Sequence, residues 1–133
     1  MREDVLVMRN FLEDKYMTYH NLPGTISAGS TWVVSVFVNN KKIASSIILS
    51  LSVTYATSAS VGLVIYPYEG LQANNSTFPY TPTTISATVS FVAGGTVYQT
   101  FIFPVIGQTT SFAIVNQDKT YSAVINYIYI TVI

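Results

Sequence analysis

From Ile43 to Tyr55 the odd positions read Ile43, Ser45, Ile47, Leu49, Leu51, Val53 and Tyr55, while the even ones read Ala44, Ser46, Ile48, Ser50, Ser52 and Thr54. A period of two belongs to a strand with one face in the core and the other lined by hydroxyls. The same contrast sets Ile85, Ala87, Val89 and Phe91 against Thr84, Ser86, Thr88 and Ser90, and Trp32, Val34, Val36 and Val38 form a third stripe. The pattern predicts seven strands near 31–39, 42–56, 60–67, 84–93, 96–104, 109–116 and 120–132. Turn residues separate several of them where hairpins need them: Asn39-Asn40, Gly94-Gly95, and Asn116-Gln117-Asp118-Lys119. Strands at this spacing, with one long connection, suit an all-β fold: an antiparallel Greek-key sandwich or jelly roll of about seven to eight strands.

The last strand differs from the rest. Tyr121, Ala123, Ile125, Tyr127 and Tyr129 fall on one face, and Val124, Ile128, Ile130 and Val132 on the other. A strand apolar on both faces needs cover on both. Either it is central and touched by the N-terminal arm or the long loop, or a second subunit covers its tyrosine face. Ile128 lies in the aliphatic stripe and is expected in the core.

Charge divides the chain into two regions. Of its twelve charged residues, seven lie in the first fifteen positions: Arg2, Glu3, Asp4, Arg9, Glu13, Asp14 and Lys15. A short charged arm with its linker, 1–22, therefore precedes a nearly uncharged sandwich domain, 23–133. In the arm Val5, Met8, Phe11, Leu12 and Tyr16 share a helical stripe, and Arg9 and Glu13 are spaced as an i,i+4 pair. The stripe predicts a short amphipathic helix; the alternative is that Val5 to Met8 adds as an edge strand to this domain or a neighbour. Leader-like character is lacking in MREDVLVMRNFLEDK, which carries charge throughout. Export would then need a leader outside this stretch or a route such as release of virions from a host.

The body is poor in the groups that carry chemistry. The chain has no cysteine, which removes disulfides, thiolate metal sites and thiol nucleophiles. Its one histidine, His20, sits in the linker, so no Ser-His-Asp arrangement is in view. The body acids are Glu69 and Asp118, both in predicted connections, where they read as solvated loop carboxylates rather than a catalytic pair. No glycine-rich loop leads a strand into a helix, and no ligand cluster suggests a metal. Formal net charge is zero with no basic block, which leaves nucleic acid without its main electrostatic attraction. No apolar run approaches the ~18 residues of a spanning helix, although contact with a membrane surface stays open. The expectation is a protein that is not an enzyme and needs no cofactor.

Two features of the long connection bear on binding. Asn74 and Asn75 begin overlapping N-x-S/T sequons, sites for a glycan if the chain meets a glycosylation system. Tyr68, Phe78 and Tyr80 form a candidate recognition loop, for a sugar or a protein, unless they pack down onto the sandwich. The candidate interface residues are Val5, Met8, Phe11 and Leu12 in the arm and Tyr127 and Tyr129 in the last strand.

The Ser/Thr/Tyr/Val texture of TWVVSVFVNN, KKIASSIILSLSVTYATS and YSAVINYIYITVI resembles single jelly-roll and related β-sandwich structural proteins of virus particles, particularly those of viruses of hyperthermophilic archaea. That resemblance implies a virion structural protein, as a minor capsid, penton, turret or coat component. Its partners would be copies of itself and other structural proteins. With three basic and four acidic residues in its arm, such a subunit would lie away from a packaged genome. The alternatives are an extracellular filament or surface-layer subunit assembled by strand donation, and a carbohydrate-binding module.

Overall fold

A computed structural model describes residues 5–9, 18–21, 24–37, 46–69, 86–105 and 109–133. Ten strands run through them: β1 (Val5–Arg9), β2 (Thr18–Asn21), β3 (Gly24–Ile26), β4 (Thr31–Phe37), β5 (Ser46–Tyr55), β6 (Leu63–Glu69), β7 (Ala87–Thr88), β8 (Thr96–Pro104), β9 (Thr109–Asn116) and β10 (Ala123–Val132). There is no helix among the described residues. The arm segment Val5–Arg9 is extended and pairs with β4 in parallel, from Val5 opposite Val33 to Arg9 opposite Phe37. The edge-strand alternative thus holds over the helix at these residues, because a ladder against β4 satisfies backbone groups that a five-residue helix would leave mostly unpaired.

The strands form two sheets, β1-β4-β9-β6-β7 and β2-β10-β5-β8, with β3 also on β10. β2 and β3 bind different stretches of β10 in one continuous register, Ile128 opposite Asn21 and Ile125 opposite Gly24. Leu22 and Pro23, between them, lie outside the described residues. From β3 onward, every connection except β6 to β7 crosses from one sheet to the other. That is the Greek-key connectivity of a jelly roll.

The expected hairpins are therefore replaced by crossings. β4 and β5, joined through Asn39-Asn40, lie in different sheets, as do β7 and β8 around Gly94-Gly95 and β9 and β10 around Asn116 to Lys119. Turn chemistry marks a reversal of the chain but not which strand the chain pairs with afterwards. Asn39-Asn40 itself lies outside the described residues.

Alternation sets the core. Ile47, Leu49, Leu51, Val53 and Tyr55 on β5 face Val34, Leu63, Ile65, Phe112 and Ile114 of the other sheet in one buried cluster. Phe103 of β8 packs against Phe112 of β9 with ring centroids 5.0 Å apart and planes tilted by 46°, joining the two layers. Trp32 packs at the margin of the core with its ring over Gly24, where any Cβ would collide with it. The predicted strand at 84–93 forms a ladder only at Ala87–Thr88, yet Val89 and Phe91 still point into the core. Beyond that ladder Pro67, which has no N–H to give, sits on β6 where its side toward β7 meets no strand among the described residues.

On the other side of the β4-β9-β6 sheet, Val33, Ala113 and Tyr68 make a second buried cluster with Tyr66 against it. Tyr68 is thus a buried residue of strand β6 rather than the first residue of the long connection. Its register with Ser111 on β9 places it there.

One end of the sandwich is fastened by Asn116 and Asp118. Asn116 Nδ2 donates to the carbonyls of Ile26 (3.2 Å), Ser27 (3.3 Å) and Tyr121 (3.0 Å). Asp118 takes the N–H groups of Ser60, Thr120 and Tyr121, each at 2.8 Å, and its own carbonyl accepts from Gly29 N–H at 2.8 Å. Three connections are tied together at this one residue. Asp118 is 4% exposed, so it is no solvated loop acid. Glu69 is likewise the last residue of β6, opposite Thr110, and not part of a connection.

Candidate assembly surface

The tyrosine stripe of the last strand does not stay on one face. Between Ile125 and Tyr127 the register of β10 against β5 shifts by one residue: Ile125 lies opposite Val53, but Tyr127 lies opposite Ser52. Asn126 is the extra residue of a β-bulge. Ala123 and Ile125 therefore point into the core, and beyond the bulge Ile128, Ile130 and Val132 do so. Tyr127 and Tyr129 come to the outer face instead. The bulge is held by Asn126 Nδ2, which donates to Ser52 Oγ and Thr54 Oγ1, both at 3.0 Å.

The outer face of the β10-β5-β8 sheet follows from these registers. Across it run Tyr129, Ser50 and Thr100 in one row, and Tyr127, Ser52 and Tyr98 in the next. Hydroxyls pair across the strands, Ser50 with Thr100 at 2.8 Å and Thr54 with Thr96 at 2.7 Å. The rings form a chain, Tyr98 to Tyr127 at 6.2 Å and Tyr127 to Tyr129 at 5.0 Å between centroids. Tyr98 and Ile102 are 69% and 70% exposed, the most open large apolar side chains among the described residues. β5, β8 and β10 contain no charged residue at all.

No protein-family model matches the chain, and no curated protein matches it. The chemistry of the surface must therefore be read from its own residues. Hydroxyl and ring groups can bind by hydrogen bonding and apolar contact, but they supply neither a strong base nor a charge. The rings are tilted, by 35° between Tyr98 and Tyr127 and 57° between Tyr127 and Tyr129. The exposed surface they make is therefore corrugated rather than flat. Among the described residues no three His, Asp or Glu side chains come together as metal ligands.

Of the residues singled out in the sequence, the structure brings Tyr127 and Tyr129 together on this face, while Val5 and Met8 lie on β1 at the edge of the opposite sheet. His20 lies on β2 in register with Tyr129. Phe11, Leu12, Asn74, Asn75, Phe78 and Tyr80 lie outside the described residues. Tyr98, Thr100 and Ile102 join the face without having stood out in the sequence pattern. Their signal is TVYQTFIFP, a nine-residue run without charge, but its place at the sheet's edge is set by topology.

Proposed function

We propose that this protein is a structural subunit of a virion, a coat, penton or turret component that works by tiling with copies of itself and other structural proteins. The observation that carries the reading is the jelly-roll strand order combined with an outer sheet face of tyrosines and hydroxyls that bears no charge on its three long strands. Interfaces of this kind exclude charge from their centres and use aromatic side chains as anchors. In this reading the subunit binds neighbours rather than turning over a substrate, and it lies away from nucleic acid because its sequence holds no basic block.

One observation favours a second reading. β1 is the sole strand among those described that pairs in parallel, and it occupies the edge of its sheet. An edge filled by a terminal segment is also the arrangement by which filament or surface-layer subunits accept a neighbour's strand. Negative-stain microscopy and sedimentation of the purified protein separate the two. Closed particles of uniform diameter are the expected result. Helical polymers would move the assignment to the filament, and a monomer at every concentration would defeat both.

A further inference from the structure

Most edges of these two sheets are short. β1, β2, β3 and β7 run for five, four, three and two residues. Short edges resist unwanted strand pairing. β8 is the exception, a nine-residue edge strand. It has no lysine, no bulge against β5, and a proline only at its last position, Pro104. These are the devices that normally blunt an edge. Their absence over nine residues marks β8 as an edge built to be paired.

The hydrogen-bond phase of β8 decides which residues would pair. Tyr55 N–H donates to the Gly95 carbonyl at 3.0 Å, making Tyr55 and Gly95 a bonded pair. Antiparallel ladders alternate. The odd residues of β8 thus bond to β5, and the amides of Tyr98, Thr100 and Ile102 turn away from it toward an edge that meets no other strand among the described residues. Their side chains lie on the outer, uncharged face.

We propose that β8 pairs antiparallel with β8 of a second copy about a two-fold axis at Thr100. This register overlaps the two strands over their full length. It sets Thr100 against Thr100 of the other copy and Tyr98 against Ile102 in both directions, so the two most exposed large apolar side chains cover each other. A two-fold contact must be complementary to itself, and an uncharged edge meets no repulsion from its own copy. The product is one sheet continuous through two subunits. The pairing adds to the shell reading without depending on it, since a dimer forms whether or not larger particles follow.

The chain has no cysteine, which makes the register directly testable. In a bonded antiparallel pair the Cα atoms lie about 5.5 Å apart, within disulfide range. Thr100→Cys in the full chain, under mild oxidant, is expected to give a disulfide-linked dimer of twice the 14.6 kDa chain mass. Thr96→Cys, which the register places opposite Pro104, is the control and should stay mostly uncrosslinked. Ile102→Lys should shift the unoxidised protein to monomer in sedimentation while leaving its circular dichroism unchanged, because the side chain is exposed. A Thr100→Cys chain that remains monomeric, equal crosslinking at Thr96→Cys, or an Ile102→Lys chain that sediments like the parent would each overturn the pairing.

Discussion

Asp118 Oδ2 accepts the backbone N–H of Ser60 at 2.8 Å, across 58 residues of chain. Its other oxygen takes the N–H groups of Thr120 and Tyr121. The donors, Ser60 first, hold the carboxylate at about 2, well below its ordinary 3.8. The link joins the β5–β6 connection to the β9–β10 connection and so fastens the two sheets at one end.

Acid stability should depend on this carboxylate. A depressed acid contributes its full stabilisation above its unfolded value near 3.8 and loses it as pH falls through about 2. The parent protein should therefore lose melting temperature between about pH 4 and pH 2. Asp118→Ala should melt several degrees lower at neutral pH and show a flatter acid limb. Thermal melts from pH 2 to pH 7 measure both, and a variant that melts like the parent at pH 7 would refute the role.

The opposite limb belongs to Tyr55. Burial raises its phenol above 10.0, and its hydroxyl donates to the Ser90 carbonyl at 3.0 Å. A raised phenol stabilises the fold fully below pH 10 and loses that contribution as pH climbs through the raised value. Tyr55→Phe should remove this alkaline loss. Gly62→Ala should disturb the same spot, because a Cβ there would lie 2.7 Å from the Tyr55 hydroxyl; overpacking of this kind costs roughly 1–3 kcal/mol. Urea unfolding of both variants at pH 7 and pH 11 tests the pair, and a parental midpoint for Gly62→Ala would argue against the close approach.

Adjacent residues on β10 should behave oppositely. Ile128 is 0% exposed, so Ile128→Asp buries an unpaired charge at a cost comparable with the ~5–15 kcal/mol stability of a small domain, and no folded protein is expected. Tyr129→Asp should fold, since its ring is on the outer face, and should weaken assembly by setting like charges together. Soluble yield, circular dichroism and sedimentation distinguish these outcomes. A folded Ile128→Asp would mean that the bulge at Asn126 does not set the faces as described.

Assembly through the β10-β5-β8 face should respond little to salt. Screening weakens contacts between charges, and this surface has none on its three long strands. Sedimentation at about 0.05 and about 0.5 M salt, a threefold span in Debye length, should give similar association. Dissociation to monomer at the higher salt would point to charged contacts elsewhere.

The stripe Ile47, Leu49, Leu51, Val53 and Tyr55 is legible as core from the residue pattern alone, because alternation of side chains along a strand is a local property of the backbone. The same holds for the strands at 96–104 and 109–116, whose bounds match their predicted ones. Local patterning also separates the charged first fifteen residues from a nearly uncharged body. Where strands find their partners is different, since that depends on contacts between residues far apart in the chain. The crossings at Gly94-Gly95 and Asn116 to Lys119, the burial of Asp118 by Ser60, and the extended pairing of Val5–Arg9 with β4 all arise there. So does the turn of Tyr127 and Tyr129 to the outside, because one unpaired residue at Asn126 inverts every face that follows it and leaves the period of two intact on either side. The run TVYQTFIFP announces an uncharged strand; only its place at the end of the order β2-β10-β5-β8 leaves a row of its amides without a neighbouring strand among the described residues.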